Sequence, residues 1–172
     1  RRSIRLALVV AVLGLAGCAR DSGQPTPSLQ DPGRRLELVT DAGFRDRIDE
    51  FRMYNAVDGP ERAVFRDQAA WEAFWSRATA GRQPVAPAPA VDFARHMFVL
   101  VALGARPTGG HWVEVEGVYE AAEGLRVEAL ASAPGEHCVT TQAVTHPLDA
   151  VLVPRHPGPV TFRVSQVVRD CR

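Results

Sequence analysis

The sequence predicts an α+β domain in which a mostly antiparallel β-sheet, barrel-like or sandwich-like, packs against one amphipathic helix. Three observations support this prediction. Apolar side chains recur at helical spacing in one segment, namely Ala70, Trp71, Phe74, Trp75 and Ala78. Residues 97–103 are continuously apolar, as in a central strand that is buried on both faces. Several later segments alternate apolar and polar residues, which is typical of strands with one solvated face.

The first half of the chain contains the helical signals. Residues 36–40 and 63–66 are short apolar runs that we expect to be strands. Between them, the spacing of Phe44, Ile48, Phe51 and Tyr54 is helix-like, although a strand over residues 51–54 fits the same sequence. Asp67 is placed to cap the helix that holds the two tryptophans, which we interpret as core residues. That helix should end before Gly81, and residues 82–90, with three prolines, should form a loop.

The second half of the chain reads as strands. Residues 111–119 alternate, with Val113 and Val115 on one side and Glu114 and Glu116 on the other. A tight turn at Glu123-Gly124 should lead into the next strand. The remaining strands are expected at residues 125–129, 139–144, 151–153 and 160–167.

The N-terminus has the organisation of a secretion signal. Three arginines precede an apolar run over residues 6–16, which is too short to cross a bilayer as a helix. The run ends in Leu15-Ala16-Gly17-Cys18, which resembles the lipobox of bacterial lipoproteins, in which the Cys is acylated. The resemblance implies a signal peptide over residues 1–17, lipid on Cys18 and a flexible tether over residues 18–34, followed by a globular domain over residues 35–172. An ordinary signal peptide, with Cys18 paired elsewhere, is the alternative.

The net charge and the residue after Cys18 indicate whether the protein binds nucleic acid and which membrane holds it. The whole chain is neutral, and removal of residues 1–17 deletes three arginines and no acidic residue. The remaining domain is therefore acidic, and we expect no nucleic-acid partner. The lipid would place the protein in the bacterial cell envelope. Because Ala19, and not Asp, follows Cys18, the lipoprotein resemblance favours the outer membrane, facing the periplasm or the surface, over the inner membrane.

Two cysteines remain once Cys18 is assigned to lipid. In an exported chain, Cys138 and Cys171 are expected to form a disulfide that would pin the last strand. A zinc site that includes His137 is the alternative, but the sequence has no CxxC or HxxxH pair. We therefore expect no metal and no cofactor.

The segment between the strands at 97–103 and 111–119 is the main candidate site. It contains one proline and three glycines, which allow tight turns and the close approach of another backbone. It is interpreted either as a wide hairpin loop with a structural role or as a rigid protruding loop that docks on a partner. The candidate contact residues are Arg106, Pro107, Thr108, Gly109, Gly110 and His111.

An ordered series of motifs resembles the C-terminal domain of PrcB-type proteins, which are lipoproteins associated with a surface protease complex. The series comprises Trp71-x-x-Phe74-Trp75, Val91-Asp92-Phe93, Gly104-x-x-x-Thr108-Gly109-Gly110-His111, Pro134-Gly135-x-x-Cys138-Val139-Thr140-Thr141-Gln142-Ala143-x-Thr145-x-Pro147 and Val151-x-Val153-Pro154-Arg155. The resemblance spans about Val64 to Phe162. The family commonly has Tyr after the two glycines, where this chain has His111. The resemblance implies that the protein supports a protease partner and has no catalytic role.

Two other functions stay open. A hydrolase could use one of the five histidines (His96, His111, His137, His146 and His156), with Asp92 or Asp149 to orient it. Ser132 and Ser165 lie in no nucleophile-elbow motif. A protease inhibitor is the other alternative, because Pro107-Thr108-Gly109 is similar to part of the binding loop of chagasin-like inhibitors. We expect a lipid-anchored, non-catalytic module that binds a protein, and no catalytic residues.

Overall fold

The computed structural model of the chain describes residues 33–39, 42–85 and 87–171. The predicted signal peptide, Cys18 and most of the predicted tether lie outside these residues. The last two tether positions, Gly33 and Arg34, are described, and the Arg34 carbonyl accepts the backbone N–H of Glu120 at 2.9 Å. In the described ranges, no helix has the length and apolar character needed to cross a membrane.

Two helices and six strands make up the described part of the chain. They are α1 (Ala42–Phe51), β1 (Glu61–Phe65), α2 (Gln68–Ala78), β2 (His96–Ala102), β3 (Trp112–Ala121), β4 (Gly124–Pro134), β5 (Leu148–Pro154) and β6 (Val160–Arg169). The strands form two three-stranded sheets, ordered β1-β2-β5 and β3-β4-β6. The predicted α+β class is confirmed. Of the two expected sheet arrangements, the sandwich is the one that forms, and no closed barrel is present in the described residues.

Three layers explain the continuous apolar run of β2. Phe98, Leu100 and Ala102 pack against the aromatic faces of both helices. Met97, Val99 and Val101, which alternate with them, pack against apolar side chains of β3 and β4 in the second sheet. The sheet that contains β2 therefore lies between the helices and the second sheet. Every residue of β2 after His96 must be apolar because both of its faces are core.

Both helices follow their sequence signals. The Asp67 side chain accepts the backbone N–H of Ala70 at 2.9 Å and caps α2, as predicted. Trp71 is fully buried, and its indole N–H donates to the Pro89 carbonyl at 2.9 Å, which confirms its role as a core residue. The first helix was expected only as one of two alternatives, and the strand alternative over residues 51–54 is wrong. The helix forms because it buries Phe44, Ile48 and Phe51 on one face.

Two sequence expectations are corrected by the structure. Residues 139–144 form no strand, and the backbone hydrogen bond that they make is to a loop, from the Gly109 N–H to the Thr141 carbonyl. Residues 36–39 form no strand either. Leu36 N–H donates to Val118 in one sheet and Val39 N–H to Leu152 in the other, so the segment crosses between sheets without building a ladder.

The sheets are mostly antiparallel, as predicted. Among the described strand pairs, β4 with β6 is the parallel one.

Candidate functional site

The candidate loop after β2 begins at a glycine that no other residue could replace without strain. Gly104 has a φ of +77°, and a Cβ on it would lie 2.6 Å from the Asp58 carbonyl oxygen and 2.8 Å from a Gly59 backbone atom. The next residue, Ala105, donates its N–H to that same Asp58 carbonyl at 2.9 Å. The start of the loop is therefore fixed against the segment that precedes β1.

The middle of the loop is fixed against residues 138–146. Arg106 and Thr145 exchange two backbone hydrogen bonds of 2.7 and 3.0 Å. The Thr145 hydroxyl donates to the Thr108 carbonyl at 2.9 Å, and Gly109 N–H donates to the Thr141 carbonyl at 3.0 Å. A Cβ on Gly109 would meet the Thr141 hydroxyl oxygen at 2.3 Å. The Thr-Gly-Gly sequence therefore has a packing role, since it lets the two loops approach each other.

The second loop is tied to the C-terminus by the predicted disulfide. Cys138 and Cys171 are bonded, with their Cα atoms 4.9 Å apart. Gly135 N–H also donates to the Arg169 carbonyl at 2.7 Å, so the loop and the end of β6 are joined at two points. Because its sulfur is taken by Cys171, Cys138 is not available for the alternative zinc site with His137. In the described ranges, no three side chains of metal-ligating type cluster closely enough to hold an ion.

Together the two loops form one surface, which we call the paired-loop surface and define as residues 105–110 and 139–144. Val139 is fully exposed and Val144 is 57% exposed, although both are apolar. Pro107 and Gln142 are also exposed. Apart from Arg106, the surface contains no charged residue. Exposed apolar groups on a backbone held by hydrogen bonds and a disulfide are typical of a protein contact.

A cleft of about 490 Å³ opens beside the paired-loop surface, between β1 and β6. We call it the edge cleft. Arg62, Arg106, His111 and Gln166 supply its polar lining, and Leu103, Val164 and Val168 much of its apolar lining. Burial lowers the pKa of His111, and the positive charge of Arg106 lowers it further, so the imidazole is neutral at pH 7. No carboxylate lines the cleft. Ser132 also borders it, and the buried Ser132 hydroxyl has no hydrogen-bond partner among the described residues.

The structure disperses the residues that the hydrolase alternative requires. His146 is the histidine that meets a carboxylate, with its Nε2 3.1 Å from Asp58, whose side chain is largely exposed to solvent. Asp92 accepts the backbone N–H of Ala94 within a turn. The buried Asp149 carboxylate receives Arg45 and the backbone N–H of Val115. His96 starts β2, His137 is exposed, and His156 accepts the backbone N–H of Gly158.

Sequence reasoning identified the first loop of this region but missed its other parts. Val139 and Val144 were interpreted as strand residues, although the uncharged run over residues 138–145, which follows Pro134-Gly135, is a signal that could have found them. Arg62 and Gln166 were not identified at all. They lie on strands of different sheets, and nothing in their local sequence indicates that they line one cleft.

The fold and the site define a three-layer α+β protein with a disulfide-braced loop surface. Comparison with protein families assigns the centre of it: residues 97–154 match the family model described as PrcB C-terminal. The resemblance inferred from the motifs is thereby confirmed for this stretch, which runs from β2 to the end of β5 and includes both loops. Neither the curated proteins nor the solved structures yield a match to the chain.

Proposed function

We propose that this chain is a non-catalytic protein-binding module, anchored in the bacterial cell envelope by lipid on Cys18, and that its partner belongs to a protease complex. The observation that supports binding is the paired-loop surface, where exposed valines lie on a backbone that is held by hydrogen bonds between the loops and by the disulfide. A surface already held in one conformation loses little entropy on association. The match to the PrcB C-terminal model supports a protease complex as the partner.

The edge cleft and the histidines support binding over catalysis. General acid–base chemistry needs an imidazole or carboxyl group that is oriented by a second group beside a space for substrate. His111 lines a cleft without a carboxylate, and the carboxylate nearest His146 is exposed to water. The inhibitor alternative requires the Pro-Thr-Gly turn to enter a protease groove. Gly109 is buried and Thr108 half-buried against the second loop, which leaves little of the turn free to enter one.

The proposal is tested by photocrosslinking in the native envelope. A photoreactive amino acid replaces Val139, the fully exposed valine of the paired-loop surface, or Val85, an exposed valine in a different part of the chain. We expect a crosslinked protease component from position 139 and none from position 85. Crosslinks of equal yield from both positions, or none from position 139, contradict the proposed surface.

A charge placed on the surface gives an independent measurement. Val139→Asp should abolish co-purification of the partner, since a buried unpaired carboxylate is costly in an interface, whereas Val85→Asp should not. Both variants should unfold at the temperature of the parent protein because both side chains are exposed. A Val139→Asp protein that still captures the partner rules out this surface.

The anchor is tested separately from the partner. Cys18→Ser should prevent incorporation of labelled palmitate and release the protein from the membrane fraction, with the folded domain unchanged. Membrane association that survives this substitution contradicts the lipid assignment and leaves the proposed paired-loop contact unaffected.

A further inference from the structure

Among the described residues, β6 is an edge strand without a neighbour on its outer side. The strand that it pairs with there is β4, in parallel, from Val160 to Arg169. Strand β6 lies outside the stretch that matches the PrcB C-terminal model. A long edge strand presents a row of backbone donors and acceptors to which a further extended segment can add.

Two hydrogen bonds show which backbone groups of β6 face outward. Leu125 N–H donates to the Pro159 carbonyl at 2.9 Å, and Gly135 N–H donates to the Arg169 carbonyl at 2.7 Å. Odd-numbered residues therefore direct their backbone groups toward β4, and the alternation along a strand directs those of even-numbered residues away from it. The residues whose backbone N–H and carbonyl groups point away from β4 are Val160, Phe162, Val164, Gln166 and Val168.

The inner face of β6 is only partly covered. Val160, Phe162 and Val164 are half-buried against the core between the sheets. The strand opposite, β1, has 5 residues, whereas β6 has 10. Beyond β1 the sandwich opens into the edge cleft, where Val168 is 69% exposed. A segment added at this edge would cover apolar surface as well as satisfy backbone groups.

The charge of the edge cleft indicates which kind of added segment it can bind. Within the described part of the chain, the guanidinium groups of Arg62 and Arg106 form no salt bridge, and each donates only to the preceding residue's carbonyl, at 3.5 and 3.4 Å respectively. Arg163 is exposed on the other face of β6. Two guanidinium groups around an apolar floor, with no acid among the lining residues, are suited to carboxylates.

We propose that the edge cleft binds an acidic, extended segment of a partner protein, which adds to β6 as a further strand and places carboxylates beside Arg62 and Arg106. A second copy of this chain is disfavoured as the occupant. Pairing β6 with itself would bring together the cleft arginines Arg62 and Arg106 of both copies, and no acid lines the cleft to balance them. The site shares Arg106 with the paired-loop surface, but Val139 does not line it, and strand addition to β6 does not require the contact around Val139.

The test uses the full chain in detergent and labelled peptides of about ten residues, with binding measured by fluorescence anisotropy. One peptide alternates Val and Glu, and its control alternates Val and Lys. We expect the Glu peptide to bind, more weakly as salt is raised, and the Lys peptide not to bind. Equal binding of the two peptides, or no binding of the Glu peptide, overturns the proposal.

Two variants separate the backbone and charge contributions. Gln166→Pro removes an outward N–H without disturbing the β4–β6 ladder, and should weaken binding about tenfold or more, whereas Gln166→Ala should retain it. The double variant Arg62→Gln, Arg106→Gln should weaken it about tenfold or more as well. If Gln166→Pro impairs folding, an N-methylated Glu peptide tests strand addition on the parent protein, because it removes the peptide N–H groups that would donate to the outward carbonyls of β6.

Two further measurements can overturn the proposal. Full affinity of the N-methylated peptide would contradict strand addition. A parent protein that is dimeric, and that Gln166→Pro converts to a monomer, would identify a second copy as the occupant. Val139→Asp should leave peptide binding unchanged, so this proposal and the proposed protease contact fail by different measurements.

Discussion

The carboxylate of Asp149 accepts a hydrogen bond from the backbone N–H of Val115 at 2.8 Å, and thereby joins β5 of one sheet to β3 of the other. Its second oxygen accepts from the Arg45 guanidinium at 2.9 Å, and Arg52 lies 3.7 Å away. The side chain is 1% exposed. Helix α1 is therefore connected to both sheets through one buried carboxylate.

Removal of this carboxylate should destabilise the fold. Asp149→Ala leaves the buried Val115 N–H without an acceptor and Arg45 without its buried partner, and should lower the free energy of unfolding by about 3 kcal/mol. Urea denaturation measures the change. Asp46→Ala, at an exposed position on the same helix, is the control and should shift it by less than about 0.5 kcal/mol. A similar loss in both variants would mean that Asp149 does not connect the layers.

The pH dependence of stability should show the contribution of the Asp149 carboxyl group. Burial raises the pKa of Asp149, and this effect exceeds the opposing ones of the Val115 N–H, Arg52 and Arg45. The native state therefore binds a proton on the Asp149 carboxyl group more tightly than the unfolded chain does. In the unfolded chain, Asp titrates near pH about 3.9. The contribution of Asp149 to the free energy of unfolding is full below that pH and is lost as pH rises through the raised pKa.

Comparison with Asp149→Asn isolates this contribution from those of other carboxyl groups. Glu120, whose pKa is lowered by Arg34, acts in the opposite sense. We expect the stability of the parent protein, relative to the Asn variant, to decline as the pH rises above about 4, the region where Asp titrates in the unfolded chain. Urea midpoints measured across this range provide the test, and a relative stability that increases with pH would show that the pKa is lowered instead.

The glycine at the start of the candidate loop should tolerate no side chain. Gly104→Ala combines a φ of +77° with backbone atoms less than 3.0 Å from the new Cβ. It should cost about 3 kcal/mol, from backbone strain and overpacking together. Gly59→Ala is the matched control, because no atom lies within 4 Å of a Cβ there. Thermal unfolding of the two variants should separate them clearly; equal melting temperatures would show that the loop adjusts.

The disulfide between Cys138 and Cys171 should be present in the purified, unreduced protein and should stabilise it. Replacement of Cys138 and Cys171 by Ala opens a loop whose ends are 33 residues apart. The chain-entropy model predicts a loss of about 3.7 kcal/mol, measurable by urea denaturation. Thiol titration of the denatured, unreduced and unlipidated protein should detect Cys18 alone. Two additional thiols would contradict the bond.

The local parts of the fold were predictable because their signals lie within short stretches of sequence. Asp67 and the apolar stripe after it indicated α2, and the alternation around Val113 and Val115 indicated β3. Residues 139–144 show why such signals can fail. Their composition suits a strand, but among the described residues they pair with no strand, and their backbone hydrogen bond, at the Thr141 carbonyl, is to the Gly109 loop. Strand formation requires a partner, and the partner is decided by the tertiary fold.

The sequence by itself determined the α+β class, the central buried strand and the loop at Thr108, since periodicity and glycine content are local properties. It also indicated the pairing of Cys138 with Cys171, since two cysteines remain once Cys18 is assigned to lipid. The tertiary structure alone decided that the loop at Thr108 is braced by a second one, that β6 runs parallel to β4, and that Arg62 and Arg106 share a cleft. The physical reason is distance along the chain. These contacts join residues far apart in sequence, and they form only when two sheets and two helices bury their apolar faces against each other.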